Sequence, residues 1–269
     1  MIEGREESGR PPEDDRAFVT ALARGLDVLR CFHAGDRGLT NQEIARRTAL
    51  PKPTVSRLTH TLRCLGYLVH SERTGTYRLG AGVLTLGYGA LAGSDTGERA
   101  REEMADLCSG PNPHVTAALG ERHGLRMVYV AVRRSDQAVA LTMNVGARLP
   151  LFHSAMGRAV LAAMPADARA ALLDRALRET PEEAERLHHS LGRALEDRAR
   201  HGFCTSFGDW KKEINGIAVS VASPDGERLY GLNVGAPSFL VSPEELLERY
   251  GERLRRVAAR LGARPGAAA

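Results

Sequence analysis

Apolar residues recur at helical spacing in three short stretches near the start of the chain. Each stretch predicts an amphipathic helix that turns one face toward a small core. The apolar positions are Leu22, Leu26, Leu29 and Phe32 in the first stretch, Ile44 and Ala45 in the second, and Val55, Leu58, Leu62 and Leu65 in the third. The second helix has a clear start, because Glu43 lies three residues after Thr40 and completes a capping box.

The third helix follows "LPKPTVSRL", in which two prolines flank a lysine. Proline fixes φ near the helical value and lacks an N–H that a first helical turn does not use, so Pro51 and Pro53 begin this helix at a fixed angle. After it, "YLVHSERTGTYRLG" alternates like two short strands joined at Thr74 and Gly75. Residues 17–80 are therefore predicted to form a winged helix-turn-helix domain, and a plain three-helix domain is the alternative.

The pattern changes after residue 80. Residues 79–94 are apolar with five glycines, and predict a linker helix over 81–97 that helps the protein dimerise. Further on, helices are expected over 98–109, 154–164, 167–178, 181–200 and 242–261, and strands over 126–132, 138–145, 203–207, 216–223 and 228–235. Helices beside a mostly antiparallel sheet predict an α+β domain over 98–269, and the polar, acidic residues 1–16 predict a disordered tail.

Composition narrows the class of protein. Hydrophobic residues make up 43% and charged residues 26%, as in ordinary globular proteins. The chain has neither an apolar run of membrane-spanning length nor a signal-peptide pattern, so we expect a cytoplasmic protein without a membrane partner. The four cysteines (Cys31, Cys64, Cys108 and Cys204) form no C-x-x-C pair, so no metal site, disulfide framework or cofactor is expected.

Positive charge is concentrated in the winged helix-turn-helix region. Residues 16–80 carry 11 Lys or Arg against 4 acidic residues, whereas residues 81–269 carry 24 against 23. A local basic excess is typical of a nucleic-acid-binding module, although a solvated basic face explains the charge alone equally well. The candidate DNA contacts are Thr40, Lys52, Thr54, Ser56, Arg57 and His60, with Arg73 and Arg78 in the hairpin. Arg57 would pair with guanine in the major groove, and the hairpin arginines would contact phosphates.

Several stretches together resemble the IclR family of bacterial transcriptional regulators. "ALARGLDVLRCF", "LTNQEIARRTALPKPTVSRLTHTLRCLGYL" and "YRLG" resemble its N-terminal domain, and "VGARLPLFHSAMGRAVLA", "HGF" and "GIAVSVASPDG" its effector domain. The resemblance implies a GAF-like effector-binding domain, a homodimer or dimer of dimers on double-stranded operator DNA, and control of a nearby operon by a small organic acid. "RLPLFHSAMGRAVLA" looks most like the branch of the family that senses aromatic acids.

The resemblance also implies effector-binding residues. The family's best-known metabolite binders place an aspartate, a cysteine and two serines around the ligand, and the matching positions here are Ser206, Gly216, Asn233 and Gly235. Ala155 and Met156 match the start of the helix whose amides receive the ligand carboxylate. The implied pocket is less polar than that of the keto-acid binders, which favours a different or larger ligand. Pro53 departs from the small polar residue usual in the family and removes one phosphate contact.

Two other classes of function remain open. A ligand-independent DNA-binding scaffold would have the same N-terminal domain. An enzyme in the second domain would need a catalytic group, and the candidates are poor: adjacent His188 and His189 face different ways on a helix, and Cys204 with His201 lacks a third, orienting group. The chain's single tryptophan, Trp210, is compatible with closing a ligand pocket and with plain packing.

Overall fold

A computed structural model describes residues 16–33, 35–92, 95–134, 141 and 143–262. The chain divides into two compact units, Met1–Gly93 and Ser94–Ala269. The predicted disordered tail lies outside the described residues except for Arg16.

The first unit is a winged helix-turn-helix. Its elements are α1 (Thr20–Arg30), α2 (Asn41–Thr48), α3 (Lys52–Cys64), β1 (Leu68–Ser71), β2 (Thr76–Leu79) and α4 (Ala81–Ala92). β1 and β2 pair antiparallel, and Leu39 adds a single bridge to Tyr77. The predicted capping box of α2 is confirmed, because the Thr40 hydroxyl accepts from the Glu43 amide and the Glu43 carboxylate accepts from the Thr40 amide.

The core of the first unit differs in part from the predicted stripes. Val28, Ile44, Val55, Leu62 and Leu68 are among its buried residues. Leu22 and Leu65, both predicted to face the core, are 63% exposed, and Leu26 is also exposed. Periodicity finds an apolar stripe but does not say how much of it a neighbouring helix covers. The stripe of α1 therefore leaves an apolar surface formed by Phe18, Val19, Leu22 and Leu26.

Helix α4 has no buried residue, and Leu84, Leu86 and Tyr88 are exposed. The predicted linker helix over 81–97 corresponds to α4 as far as Ala92 and to the start of a helix at Asp95, and residues 93 and 94 lie outside the described residues. Gly80 has a local role at the start of α4, because a Cβ there would lie 2.4 Å from the carbonyl oxygen of Gly66.

The second unit is an α+β domain with one antiparallel sheet in the order β5-β4-β3-β8-β7-β6. Its elements are α5 (Asp95–Glu103), α6 (Ala105–Cys108), β3 (Thr116–His123), β4 (Arg126–Arg134), β5 (Arg148–Pro150), α7 (Ala155–Ala163), α8 (Ala166–Glu179), a 3-10 turn (Pro181–Glu183), α9 (Ala184–His201), β6 (Cys204–Phe207), β7 (Ile214–Ala222), β8 (Leu229–Pro237), α10 (Pro243–Glu245), a π-helical turn (Leu246–Tyr250) and α11 (Gly251–Gly262).

Helices cover both faces of this sheet. One face forms a core with α5, α6 and α11, where Leu107, Leu232 and Leu254 are buried. The other face forms a core with α7, which packs in turn on α9, and Met156 and Leu161 are fully buried there. The second core contains the site described below.

The strands of the second unit differ from the prediction in two places. β3 was not expected, because Ala117, Ala118 and Gly120 leave it few of the β-branched and aromatic side chains that mark a strand. The small residues have a packing cause, since a Cβ on Gly120 would lie 2.5 Å from the Met156 sulfur. The strand expected over 138–145 is absent from its described residues, 141 and 143–145, and the rest of that stretch lies outside the described residues. The next described strand is β5.

Two helix predictions also change. The helix expected over 98–109 begins at Asp95 and is interrupted at Met104, so it forms α5 and α6. The helix expected over 181–200 begins with the 3-10 turn, and the Thr180 hydroxyl donates to the carbonyl of Ala176 rather than capping the new helix. The helix expected over 154–164 is α7, and the Ser154 hydroxyl caps it by accepting from the Gly157 amide.

Candidate functional site

The candidate DNA-reading surface is the outer face of α3. Lys52, Ser56, Arg57 and His60 are exposed, and Thr54 is half-buried. Pro53 lies in the first turn of α3, and no side chain caps the helix. The first amides of the helix, other than that of proline, therefore have no partner within it and favour a phosphate.

Neighbouring contacts hold α3 against the rest of the unit. The buried Thr59 hydroxyl donates to the Asn41 side chain at 3.0 Å, which joins α3 to α2. Thr40 is less available to DNA than predicted, because its hydroxyl donates to the Glu43 carboxylate at 2.8 Å as part of the capping box. The hairpin candidates Arg73 and Arg78 are both exposed.

One arginine of the first unit, Arg47, forms an ion pair within the unit. The Arg47 guanidinium contacts both carboxylate oxygens of Asp36, at 2.6 and 3.0 Å. This contact lowers the pKa of Asp36 from its ordinary value. Arg47 therefore stabilises the segment between α1 and α2, while the cations of α3 and the hairpin face outward.

A second candidate site lies where α7 begins above the sheet of the second unit. Strand register aligns one row of residues across four strands, Ser206, Gly216, Gly235 and Thr116. A Cβ on Gly216 would lie 3.9 Å from the Ala155 Cβ, which shows that the start of α7 faces this row. The two central glycines leave space between the sheet and the helix.

The first turn of α7 is fixed by the residues before it. The Ser154 hydroxyl accepts from the Gly157 amide at 3.1 Å and donates to the Pro150 carbonyl at 2.7 Å. A Cβ on Gly157 would lie 2.0 Å from the Leu151 carbonyl oxygen, so only glycine allows this close approach. With Gly157 capped, the amides of Ala155 and Met156 have no partner within the helix.

These elements enclose a narrow recess, called the α7 recess below, whose cavity volume is only about 20 Å³. All six effector-binding residues implied by the resemblance line it. The lining residues are Tyr129, Leu141, Met143, Leu149, Ser154, Ala155, Met156, Ser206, Trp210, Ile214, Asn215, Gly216, Asn233 and Gly235. The sequence thus predicted a set of residues that the fold brings together from α7, β6, β7 and β8.

Two buried oxygens have no hydrogen-bond partner among the described residues: Asn233 Oδ1, whose residue lines the α7 recess, and Thr116 Oγ1, whose residue belongs to the row beside Gly235 but not to the lining. The Asn233 amide nitrogen donates to the Tyr129 hydroxyl at 3.4 Å. Burial raises the pKa of Tyr129 to about 12, so its phenol is protonated at neutral pH. Unsatisfied buried polar groups are rare and costly, and a bound group that can donate a hydrogen bond would satisfy them.

Two predicted residues contribute differently from what was expected. The Met156 side chain does not line free space, because it is fully buried against Gly120 and Gly231. The Ser206 hydroxyl donates to the His153 carbonyl at 2.8 Å, so only its lone pairs are available to a ligand.

Tyr129 and Thr116 were missed by sequence reasoning. Tyr129 occupies a predicted strand, where a phenol among aliphatic residues was the available signal. Thr116 belongs to β3, which was not predicted. Its alignment beside Gly235 in the row across the sheet could therefore not be predicted from the sequence.

The candidate catalytic and metal-binding groups do not assemble into a site. Burial raises the pKa of the Cys204 thiol to about 12, and this thiol donates to the Ala194 carbonyl, so it is not an available nucleophile. His188 and His189 are exposed on α9. Within the described ranges, no cluster of three or more potential metal ligands occurs, and no helix is long and apolar enough to cross a membrane.

Comparison with known proteins assigns both units. The model of the IclR helix-turn-helix domain matches residues 21–72, and that of the bacterial transcriptional regulator IclR C-terminal domain matches residues 89–263. The chain belongs to the IclR family. It is a DNA-binding transcriptional regulator with an N-terminal helix-turn-helix domain and a C-terminal IclR domain.

Individual members of the IclR family resemble the whole chain. The Pca regulon regulatory protein of Pseudomonas putida is 31% identical over 240 residues, which cover 88% of this chain and 80% of that protein. An IclR-family regulator from Brucella abortus has a solved structure with 39% identity, a TM-score of 0.82 and 94% coverage of both chains. An IclR homologue from Microbacterium hydrocarbonoxydans, solved with 4-hydroxybenzoate, is 25% identical, with a TM-score of 0.65 and coverage of 90% of this chain and 97% of that one.

Proposed function

We propose that this IclR-family regulator binds operator DNA through α3 and the β1–β2 hairpin, and that a small carboxylic acid, aromatic in character, controls it from the α7 recess. The residues proposed to contact DNA are Thr40, Lys52, Thr54, Ser56, Arg57, His60, Arg73 and Arg78. Those proposed to contact the effector are Ala155, Met156, Ser206, Gly216, Asn233 and Gly235.

The observation that carries the effector proposal is an unpartnered oxygen of the α7 recess. Asn233 Oδ1 is buried without a partner in the described part of the chain. A ligand with a hydroxyl group would supply the missing donor. Without such a ligand, an unsatisfied buried acceptor would lower the folding stability by about 1–3 kcal/mol.

The start of α7 in the α7 recess favours a carboxylate. A helix N-terminus has unpaired amides and a partial positive charge, so a carboxylate docks there without a dedicated arginine. Leu149 and Ile214 also line the recess, and because its cavity is only about 20 Å³, an aromatic ring would enter with an outward movement of the lining side chains. A hydroxylated aromatic acid combines these features, and 4-hydroxybenzoate, found with an IclR homologue, is the natural probe.

The effector site is tested by blocking the glycine row. The Gly216→Leu variant should lose binding of 4-hydroxybenzoate in calorimetry and keep its affinity for DNA, because the added side chain enters the α7 recess. The control is Gly192→Leu on α9, where nothing lies within 4 Å of an added Cβ. Equal binding of the acid by wild type and Gly216→Leu would place the site elsewhere. A lack of stabilisation of the wild type by any hydroxylated or plain aromatic acid would favour the ligand-independent scaffold.

We also propose that the working unit is at least a homodimer. One helix-turn-helix reads only a few base pairs, and dimers read half-sites about 34–36 Å apart or a multiple of that distance. Exposed apolar side chains of α1 and α4 support the proposal, among them Leu22, Leu84 and Tyr88. Light scattering at micromolar concentration tests it: a dimer or tetramer is expected, and a monomer both with and without DNA would contradict it.

A further inference from the structure

Arg158 is a buried cation one helical turn from the candidate effector amides. Its side chain is only 3% exposed. Its guanidinium joins four segments of the second unit: Nε donates to the Phe152 carbonyl at 3.2 Å and to the Ser190 hydroxyl at 2.9 Å, and Nη1 donates to the Thr205 carbonyl at 2.7 Å and to Asp209 Oδ2 at 2.6 Å. Burying a cation is costly unless it is paired, and Asp209 supplies the close negative charge.

Asp209 belongs to the connection between β6 and β7, which we call the 208–213 loop. The next residue in this loop is Trp210, which lines the α7 recess. The second half of the loop is held separately, because Ser238 donates to the carbonyls of Lys212 and Glu213. The first half is held by Asp209, whose carbonyl also accepts from Arg186 at 2.5 Å.

Packing of α7, α9 and β6 does not by itself require the bond to Asp209. The other three bonds of Arg158 already connect those elements. The Asp209 carboxylate instead extends the connection to the segment that carries Trp210, an aromatic residue of the recess lining. Arg193 lies 3.7 Å from the same carboxylate and adds positive charge on the same side.

We propose that Arg158 and Asp209 are positioning residues for Trp210. Their ion pair fixes the 208–213 loop to the start of α7, so that the indole closes the α7 recess and slows the escape of a bound acid. The inference rests on the proposed function for its ligand, but the position of Trp210 in the free protein is independent of any ligand. The positioning of Trp210 and the binding of an acid can therefore be contradicted by separate experiments.

The test uses the chain's single tryptophan. In the Asp209→Asn variant of the full chain, the amide oxygen can still accept from Arg158 but carries no charge, and we expect Trp210 fluorescence to be quenched more strongly by acrylamide than in wild type. Dissociation of 4-hydroxybenzoate, followed in stopped flow, should be about tenfold faster, since the hydrogen bond is no longer charge-assisted and the ion pair is lost. The association rate should change much less.

Two variants separate positioning from general stability. Asp197 on α9 accepts from the Thr205 amide and hydroxyl, and among the described residues it makes no hydrogen bond to the 208–213 loop. Asp197→Asn should therefore lower the melting temperature without changing Trp210 quenching. Asp209→Glu retains the charge and should restore quenching toward the wild-type value. The proposal is overturned if Asp209→Asn and wild type are quenched equally, or if Asp197→Asn exposes the indole as much as Asp209→Asn does. If the wild type does not bind the acid, the quenching results alone decide between these outcomes.

Discussion

The first turns of α3 and α7 offer the same chemistry in opposite surroundings. Both helices begin with amides that have no partner inside the helix. α3 starts on the surface, with Lys52 and Arg57 exposed beside it and no side-chain cap. α7 starts inside the second unit, capped by Ser154 and facing two glycines of the sheet. A surface start with mobile cations suits a polyanion, whereas a buried start with little free space suits one small anion.

From this difference we expect that burial around a helix start, rather than the start itself, decides its ligand. Long cationic side chains around α3 can adapt to a DNA groove, and their charges act together along it. Around α7, the specificity must come from a few fixed groups, such as the unpartnered Asn233 oxygen and the Tyr129 hydroxyl.

Removal of Arg57, the side chain proposed to read guanine, should have the largest effect. Arg57→Ala is expected to cost about 1–3 kcal/mol of discrimination between the operator and unrelated DNA, because a bidentate contact to a base edge is lost. Gel-shift titrations against the region upstream of the regulator's own gene measure this loss. Unchanged discrimination in Arg57→Ala would mean that α3 is not the reading helix or that Arg57 does not face the bases.

Loss of the α7 cap should have an intermediate effect. Ser154→Ala removes the acceptor of the Gly157 amide, and we expect the free energy of unfolding to fall by about 1 kcal/mol. Binding of 4-hydroxybenzoate should weaken as well, since the first turn is no longer fixed. Ser242→Ala is the matched control, because Ser242 caps α10 in the same way through the Glu245 amide. If both variants changed acid binding equally, the start of α7 would have no special part in it.

The smallest effect is expected in the hairpin. Arg78→Ala removes one exposed cation and should weaken binding to all DNA sequences alike, with the slope of log affinity against log salt falling by about 1. Competition experiments with operator and random DNA at several salt concentrations check this. A sequence-dependent loss would assign base reading, rather than phosphate positioning, to the hairpin.

Local signals allowed the sequence to predict much of the first unit and the start of α7. Some features depend only on residues within a few positions and could be found without the fold. They are the capping box at Thr40, the prolines at the start of α3 and the start of α7 at Ser154. The packing of the apolar stripes could not be predicted in this way. Leu22 and Leu65 were wrongly assigned to the core, because neighbouring elements decide how much of an apolar stripe is covered.

The remaining features of the candidate site depend on partners distant in the chain. Thr116 joins the row beside Gly235 through pairing of β3 with β8, and Arg158 meets Asp209 across 51 positions. No short motif marks either relation. The six effector positions were found only because a resemblance aligned them, and the resemblance did not indicate Tyr129 or the 208–213 loop.

The central claim is that an acid bound at the start of α7 controls the DNA binding carried out by α3. It is tested most directly by measuring operator affinity as a function of 4-hydroxybenzoate concentration for wild type, Gly216→Leu and Gly192→Leu. We predict that the acid shifts operator affinity equally in wild type and Gly192→Leu and leaves it unchanged in Gly216→Leu, whose affinity without acid should match wild type. An equal shift in all three proteins would contradict the account.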